Sequence, residues 1–132
     1  METGDQSILS ALSGTRARKT LLIVEDNCWA RYTAADYFRS MGYEVLEAND
    51  ADEAVSLLSS GKIVDVVFSD IQMPGWMNGL ALAGWITQHY PALPVLLTSG
   101  LRPADLPVTS PHVFIAKPYS LTDVEMQIRW RI

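Results

Sequence analysis

Residues 64–79 read Val64-Asp-Val-Val-Phe-Ser-Asp70-Ile-Gln-Met-Pro-Gly-Trp-Met-Asn-Gly79. Val66, Val67 and Phe68 form an apolar run of strand length, Asp70 closes it with an acid, and Pro74, Gly75 and Gly79 break the next residues into a turn. A carboxylate at the mouth of a buried parallel strand stands where a doubly wound sheet keeps its chemistry. Taken alone, the plainer reading of Asp70 is a loop cap, because Asp is a common turn residue. The rest of the chain decides between the two.

Working outward, Leu21-Leu22-Ile23-Val24 is another continuous apolar run and ends on Glu25-Asp26. Asn27 is placed to cap a helix whose periodic positions are Ala30, Ala34, Tyr37, Phe38 and Met41, and Gly42 stops it. Glu44 to Ala48 alternates loosely and reads as a strand nearer the sheet edge. Asp50 with Glu53 opens the next helix as a capping box; Ala54, Val55, Leu57 and Leu58 form its buried stripe and Gly61 ends it. Beyond the central stretch come a helix from about Leu80 to His89, which carries Trp85 as a packing residue, and a strand at Val95-Leu96-Leu97 that ends on Thr98-Ser99-Gly100. Pro103, Pro107 and Pro111 leave room for a helical turn between Leu101 and Pro111 but not for a full helix. Val113 to Ala116 is a last strand ending on Lys117-Pro118. Ser120 and Asp123 then cap a short helix with Leu121, Val124 and Ile128 inside. Strand and helix alternate throughout, which predicts an α/β protein with a doubly wound, five-stranded parallel sheet and a shortened or irregular fourth helix. Residues 1–18 read as an N-terminal tail and residues 19–132 as one domain.

Composition narrows the function. The chain has 132 residues, 48% of them hydrophobic, and a formal net charge of -5, so it is globular and lacks the basic stripe that nucleic acid requires. A single cysteine, Cys28, excludes an internal disulfide. No apolar run approaches the roughly 20 residues of a membrane helix, and no signal peptide is legible, so a cytoplasmic protein is expected. His89 and His112 have no neighbours at metal-ligand spacing. Asp65 reads as a strand-start residue without chemistry.

In a parallel sheet every strand end named above falls on one rim. Glu25, Asp26 and Asp70 would share it with Thr98 or Ser99 and with Lys117. Three carboxylates together require a cation, and hard oxygen donors with open water positions suit Mg²⁺. A carboxylate in such a pocket can act as a nucleophile and become an aspartyl phosphate. Phosphoryl transfer then rests on charge stabilisation by the metal, a lysine and a hydroxyl donor, roles that Lys117 and Ser99 fit.

From about Lys19 onward the chain resembles the response-regulator receiver domains of two-component signalling. The resemblance rests on Leu21 to Asn27, on Ser69-Asp70-Ile71-Gln72-Met73-Pro74, on Asn78-Gly79-Leu80, on Pro94 to Gly100 and on Ala116-Lys117-Pro118. It implies a flavodoxin-like fold and a phosphoacceptor at Asp70, supplied by a histidine kinase or histidine phosphotransfer protein. It implies that Glu25, Asp26, Asp70 and the backbone carbonyl of Gln72 hold Mg²⁺. It also implies that Ser99 moves to the phosphoryl group while Phe114 swings inward, and that the Lys117-Pro118 bond is cis. Such a domain speeds its own phosphorylation and dephosphorylation but is not an enzyme acting on another substrate. It switches the binding of a downstream protein whose identity, like homodimerisation, the sequence leaves open; membrane and nucleic-acid partners are not expected.

The chain departs from the family pattern in places. Counting from Pro94 favours Ser99 over Thr98 as the hydroxyl. The acidic turn carries an extra residue in Gly75-Trp76-Met77, where a lid or partner contact by Trp76 and a residue with neither role are equally open, and Asn78 stands where Asp is common. With no residues after Ile132, the chain reads as either a stand-alone receiver or a fragment. A phosphatase with an aspartyl intermediate would need an acid where Gln72 stands, and a flavodoxin-like cofactor module is excluded by the acids after the first strand. The runner-up is a receiver-shaped interaction module that is never phosphorylated, suggested by the poor fourth helix.

Overall fold

The structure is a computed structural model and describes residues 18–100 and 112–132. The expected tail, up to residue 17, and the expected irregular fourth helix, residues 101–111, lie outside the described residues. The described residues form β1 (Thr20–Val24), α1 (Cys28–Ser40), β2 (Glu44–Ala48), α2 (Ala51–Ser59), β3 (Val66–Asp70), α3 (Gly79–His89), β4 (Val95–Ser99), β5 (Val113–Ala116) and α4 (Leu121–Arg129). All strand pairs are parallel and the order is β2-β1-β3-β4-β5. The chain reverses its winding between β1 and β3, and this switch point puts the ends of those two strands side by side.

The three apolar runs become the inner strands because both of their faces are covered: every residue of β1, β3 and β4 is buried, whereas β2 and β5 are the half-covered edges. Alternation divides the core. Leu22, Val24, Val67 and Leu97 face α2 and α3, packing on Ala54, Leu58, Leu82 and Ile86. Leu21, Ile23, Phe68 and Leu96 face α1 and α4, packing on Ala35, Phe38, Val124 and Ile128. Fully burying a side chain such as Phe38 stabilises the fold by roughly 1.5–3 kcal/mol.

The caps lie where the sequence places them. Ala30 N–H donates to Asn27 Oδ1 at 3.0 Å, Glu53 N–H to Asp50 Oδ1 at 2.9 Å, and Asp123 N–H to Ser120 Oγ at 3.1 Å. Glu53 completes its box one residue early, accepting from Asn49 N–H at 2.5 Å. The stripe of α1 differs from expectation. Ala30 and Met41 are exposed, and the buried positions are Ala34, Ala35 and Phe38. Met41 is the cap residue of the helix, and Gly42, with φ 97°, turns the chain so that Tyr43 enters the core in its place. Trp85 is half-buried, as a packing residue should be, with its ring stacked on His89 at 4.3 Å.

Candidate functional site

The rim where the parallel strands end gathers the expected side chains. Glu25 and Asp26 follow β1 directly, Asp70 is the last residue of β3, Ser99 the last of β4, and Lys117 follows β5. Carboxylate oxygens of Glu25, Asp26 and Asp70 all lie within 4.8 Å of one another. Lys117 Nζ lies 3.2 Å from Asp70 Oδ2. Asp70 is only 5% exposed, and its Oδ1 is buried with no hydrogen-bond partner among the described residues. Glu25 is also buried and accepts from Asn27 N–H at 3.0 Å, whereas Asp26 is exposed and forms the solvent side of the group.

Two ionised carboxylates at such a separation repel by roughly 3 kcal/mol at an effective dielectric constant of about 20. Burial raises the pKa of Asp70 above the usual carboxylate value; the Lys117 ammonium and the Gln72 N–H oppose this, and Asp26 adds to it. Burial likewise raises Glu25, opposed by the Asn27 N–H and by Lys117 and reinforced by Asp70 and Asp26. Three acids against one amine, with a buried carboxylate oxygen left unbonded, form a set of hard donors suited to a divalent cation.

The loop after β3 holds Asp70 in place. Gly79 N–H donates to Ile71 O at 2.9 Å, and a Cβ on Gly79 would fall 2.1 Å from Asp70 O, so only glycine fits. Asn78, a departure in the sequence, is the cap of α3, accepting from Ala81 N–H at 2.9 Å. Met73 and Met77 anchor the loop in the core. Trp76 is 78% exposed and donates from Nε1 to Asp52 Oδ1 at 3.1 Å. It borders a small hollow with Asp50, Ala51 and Pro74 that none of the three acids lines.

The two candidate hydroxyls occupy different places. Thr98 is the register partner of Asp70 and so shares its face of the sheet; it is 1% exposed and its Oγ1 has no partner among the described residues. Ser99 stands one step closer to the rim and donates from Oγ to Gln72 Oε1 at 2.9 Å. Phe114 pairs with Leu97, two residues before Ser99, so it lies on the Ser99 face, half-buried against the α2–α3 core. The Lys117-Pro118 bond is cis, and Lys117 N–H donates to Ser99 O at 2.9 Å.

Three neighbours of the site were not found by sequence reasoning. The Gln72 side chain reaches Ser99 across 27 residues, a pairing that no local pattern announces. Arg31 donates to Glu25 O at 2.7 Å and to Glu47 and Asn49, bracing the end of β1; a cation one turn into the helix after Glu-Asp was the available signal. Tyr119 packs edge-on to Phe68 at 5.5 Å, and burial, then the charges of Glu25 and Asp70, push its hydroxyl pKa up. Asp65 acts structurally, accepting from Thr20 N–H at 2.7 Å.

The family model described as response regulator receiver domain matches residues 21–128. Sensor kinase CckA of Brucella abortus is 30% identical over 115 residues, 83% of this chain and 12% of that protein. Response regulator protein FleR of Pseudomonas aeruginosa is 32% identical over 103 residues, 75% of this chain and 21% of that one. The chain therefore spans a minor part of the length of these curated relatives. Among solved structures, the receiver domain from the hybrid histidine kinase CckA superposes with a TM-score of 0.71 at 29% identity, covering 85% of this chain and 97% of that one. TrrA from Thermotoga maritima, in complex with Mg(2+)-BeF, gives a TM-score of 0.77 at 25% identity over 86% and 99% of the two chains.

Proposed function

The chain belongs to the response regulator receiver domain family, phosphoacceptors of two-component signalling, and we propose that its acceptor is Asp70. The observation that carries the assignment is the convergence of Glu25, Asp26 and Asp70 within 4.8 Å, with Lys117 Nζ 3.2 Å from the acceptor carboxylate. A carboxylate oxygen of Asp70 attacks the phosphorus of a phosphohistidine. The new P–O bond forms as the P–N bond breaks, and the electron pair returns to the imidazole nitrogen. Lys117 helps to keep Asp70 ionised before transfer and offsets phosphoryl charge afterwards. Mg²⁺, held by Glu25, Asp26, Asp70 and the carbonyl of Gln72, would neutralise the phosphoryl oxygens. Ser99 then turns its hydroxyl to the phosphoryl group and Phe114 follows it inward.

The donor is a histidine kinase or histidine phosphotransfer protein, and the product state changes affinity for a downstream protein. The domain catalyses its own labelling and hydrolysis and acts on no other substrate. No helix of the described residues is long and apolar enough to cross a membrane, and we place the reaction in the cytoplasm. Incubation with a small phosphodonor and Mg²⁺, followed by intact-protein mass measurement, tests the reading. Wild type should gain one phosphoryl group and Asp70→Asn none; equal labelling of the two would remove Asp70 from the role. Glu25→Gln with Asp26→Asn should label far less, and undiminished labelling would exclude these acids from the metal site.

A further inference from the structure

Gln72 touches both halves of the site. It lies two residues after the acceptor, with its N–H toward the Asp70 carboxylate. Its side chain, on the exposed part of the loop, accepts the hydroxyl of the 3% exposed Ser99 at 2.9 Å. A hydroxyl has one proton to donate. While Ser99 donates it to the Gln72 carboxamide, that proton is not available to a phosphoryl oxygen. The two bonds exclude each other, and the loop carrying one acceptor is the loop that begins at the phosphorylated residue.

We infer that the Gln72 side chain is a latch that holds Ser99 in the resting state, so that its hydrogen bond must break before the hydroxyl can engage the phosphoryl group. The inference rests on the assignment of Asp70 and Ser99 above and adds a positioning role for a side chain whose backbone alone was assigned. The latch sets the resting equilibrium of the switch. For a ligand that requires the released state, the apparent dissociation constant is the intrinsic one divided by the fraction of molecules already released. Removing the carboxamide oxygen while keeping the backbone carbonyl therefore tightens binding, the opposite of what loss of a merely structural contact does.

The test is a double-mutant cycle read by the dissociation constant of trifluoroberyllate, a phosphoryl mimic, at saturating Mg²⁺, with the β5 amide signals followed by NMR. Gln72→Leu should bind about fivefold more tightly than wild type, the factor expected for one released hydrogen bond. Ser99→Ala should bind more weakly than wild type. Adding Gln72→Leu to Ser99→Ala should then change nothing, because there is no hydroxyl left to release. Unchanged or weaker binding by Gln72→Leu alone overturns the latch, and so does the same tightening in the Ser99→Ala background. If Ser99→Ala binds as wild type does, the assignment of Ser99 to the phosphoryl group has failed and the latch falls with it. Labelling of Asp70 by a phosphodonor is read separately in every variant and identifies failure of the acceptor assignment.

Discussion

Asp70 and Glu125 are about equally hidden, at 5% and 4% exposed, and the fold surrounds them in opposite ways. Glu125 lies on α4 at the end of the sheet where the strands begin, beside Tyr43, which directly precedes β2. Tyr43 OH donates to its Oε2 at 2.9 Å, Arg129 Nε to the same oxygen at 3.0 Å, and Arg129 Nη2 to Oε1. The Arg129 hydrogen bond, with help from Tyr43 and against some burial cost, holds its pKa below the usual carboxylate value. Burial, with the Glu125 carboxylate next, drives the Tyr43 hydroxyl up to about 12. At the other end, Asp70 has Lys117 on one oxygen and no partner for the other among the described residues, and it is crowded by two further acids. One end of the sheet has had its electrostatics satisfied for folding. The other is left unsatisfied, and the ligand that would relieve it comes from solution.

The sharpest test of this contrast is magnesium. At a hundred times its dissociation constant, Mg²⁺ should raise the unfolding free energy of wild type by about 2.7 kcal/mol. It should do almost nothing for Asp26→Asn with Asp70→Asn, as measured by urea unfolding; equal stabilisation of both proteins would break the comparison. Next, Glu125→Ala should cost about 2 kcal/mol in the same assay, since it leaves the Tyr43 hydroxyl without its partner and opens space beneath α4. Asp70→Asn without metal should instead stabilise, by about 1 kcal/mol, because it removes a buried charge crowded by two other acids.

The pH dependences should run in opposite senses. The folded-state pKa of Glu125 is depressed, so its contribution is complete above its unfolded pKa and is lost as pH falls through the folded value. Asp70 and Glu25 are raised, so the folded protein binds the extra proton and loses stability as pH rises from their unfolded values through their folded ones. Unfolding midpoints between about pH 3 and 7 should therefore show the advantage of Asp70→Asn growing with pH and the deficit of Glu125→Gln shrinking as pH falls. Tyr43→Phe should have the smallest effect, about 0.5 kcal/mol, with loss of the phenol titration near 12 from the ultraviolet spectrum.

Much of the candidate site was legible in the sequence, because its parts are local. An apolar run followed by an acid or a lysine declares a strand and its mouth, and parallel alternation brings the mouths together. Glu125 was not legible as a buried acid, since its partner Tyr43 lies 82 residues away and nothing in Val124-Glu125-Met126 distinguishes it from a solvated helix face. The α1 stripe was misjudged at Ala30 and Met41 because periodicity gives the face of a helix but not where its last turn is lost to the core. Asn78 looked like a substitution in an acidic turn and proved to be a helix cap, a role decided by the backbone that comes after it. The Ser99–Gln72 bond depends on two loops meeting across the rim, which no spacing encodes.

Gly79 has a consequence for how the Asp70 carboxylate is aimed. With room for only a hydrogen between its α-carbon and the Asp70 carbonyl, the first residue of α3 acts as a gauge block against the peptide unit of Asp70. A single added methyl group there would wedge that peptide away from the helix and re-aim the Asp70 side chain, without altering one charge or one hydrogen-bonding side chain. The aim of the Asp70 carboxylate is machined by an empty space.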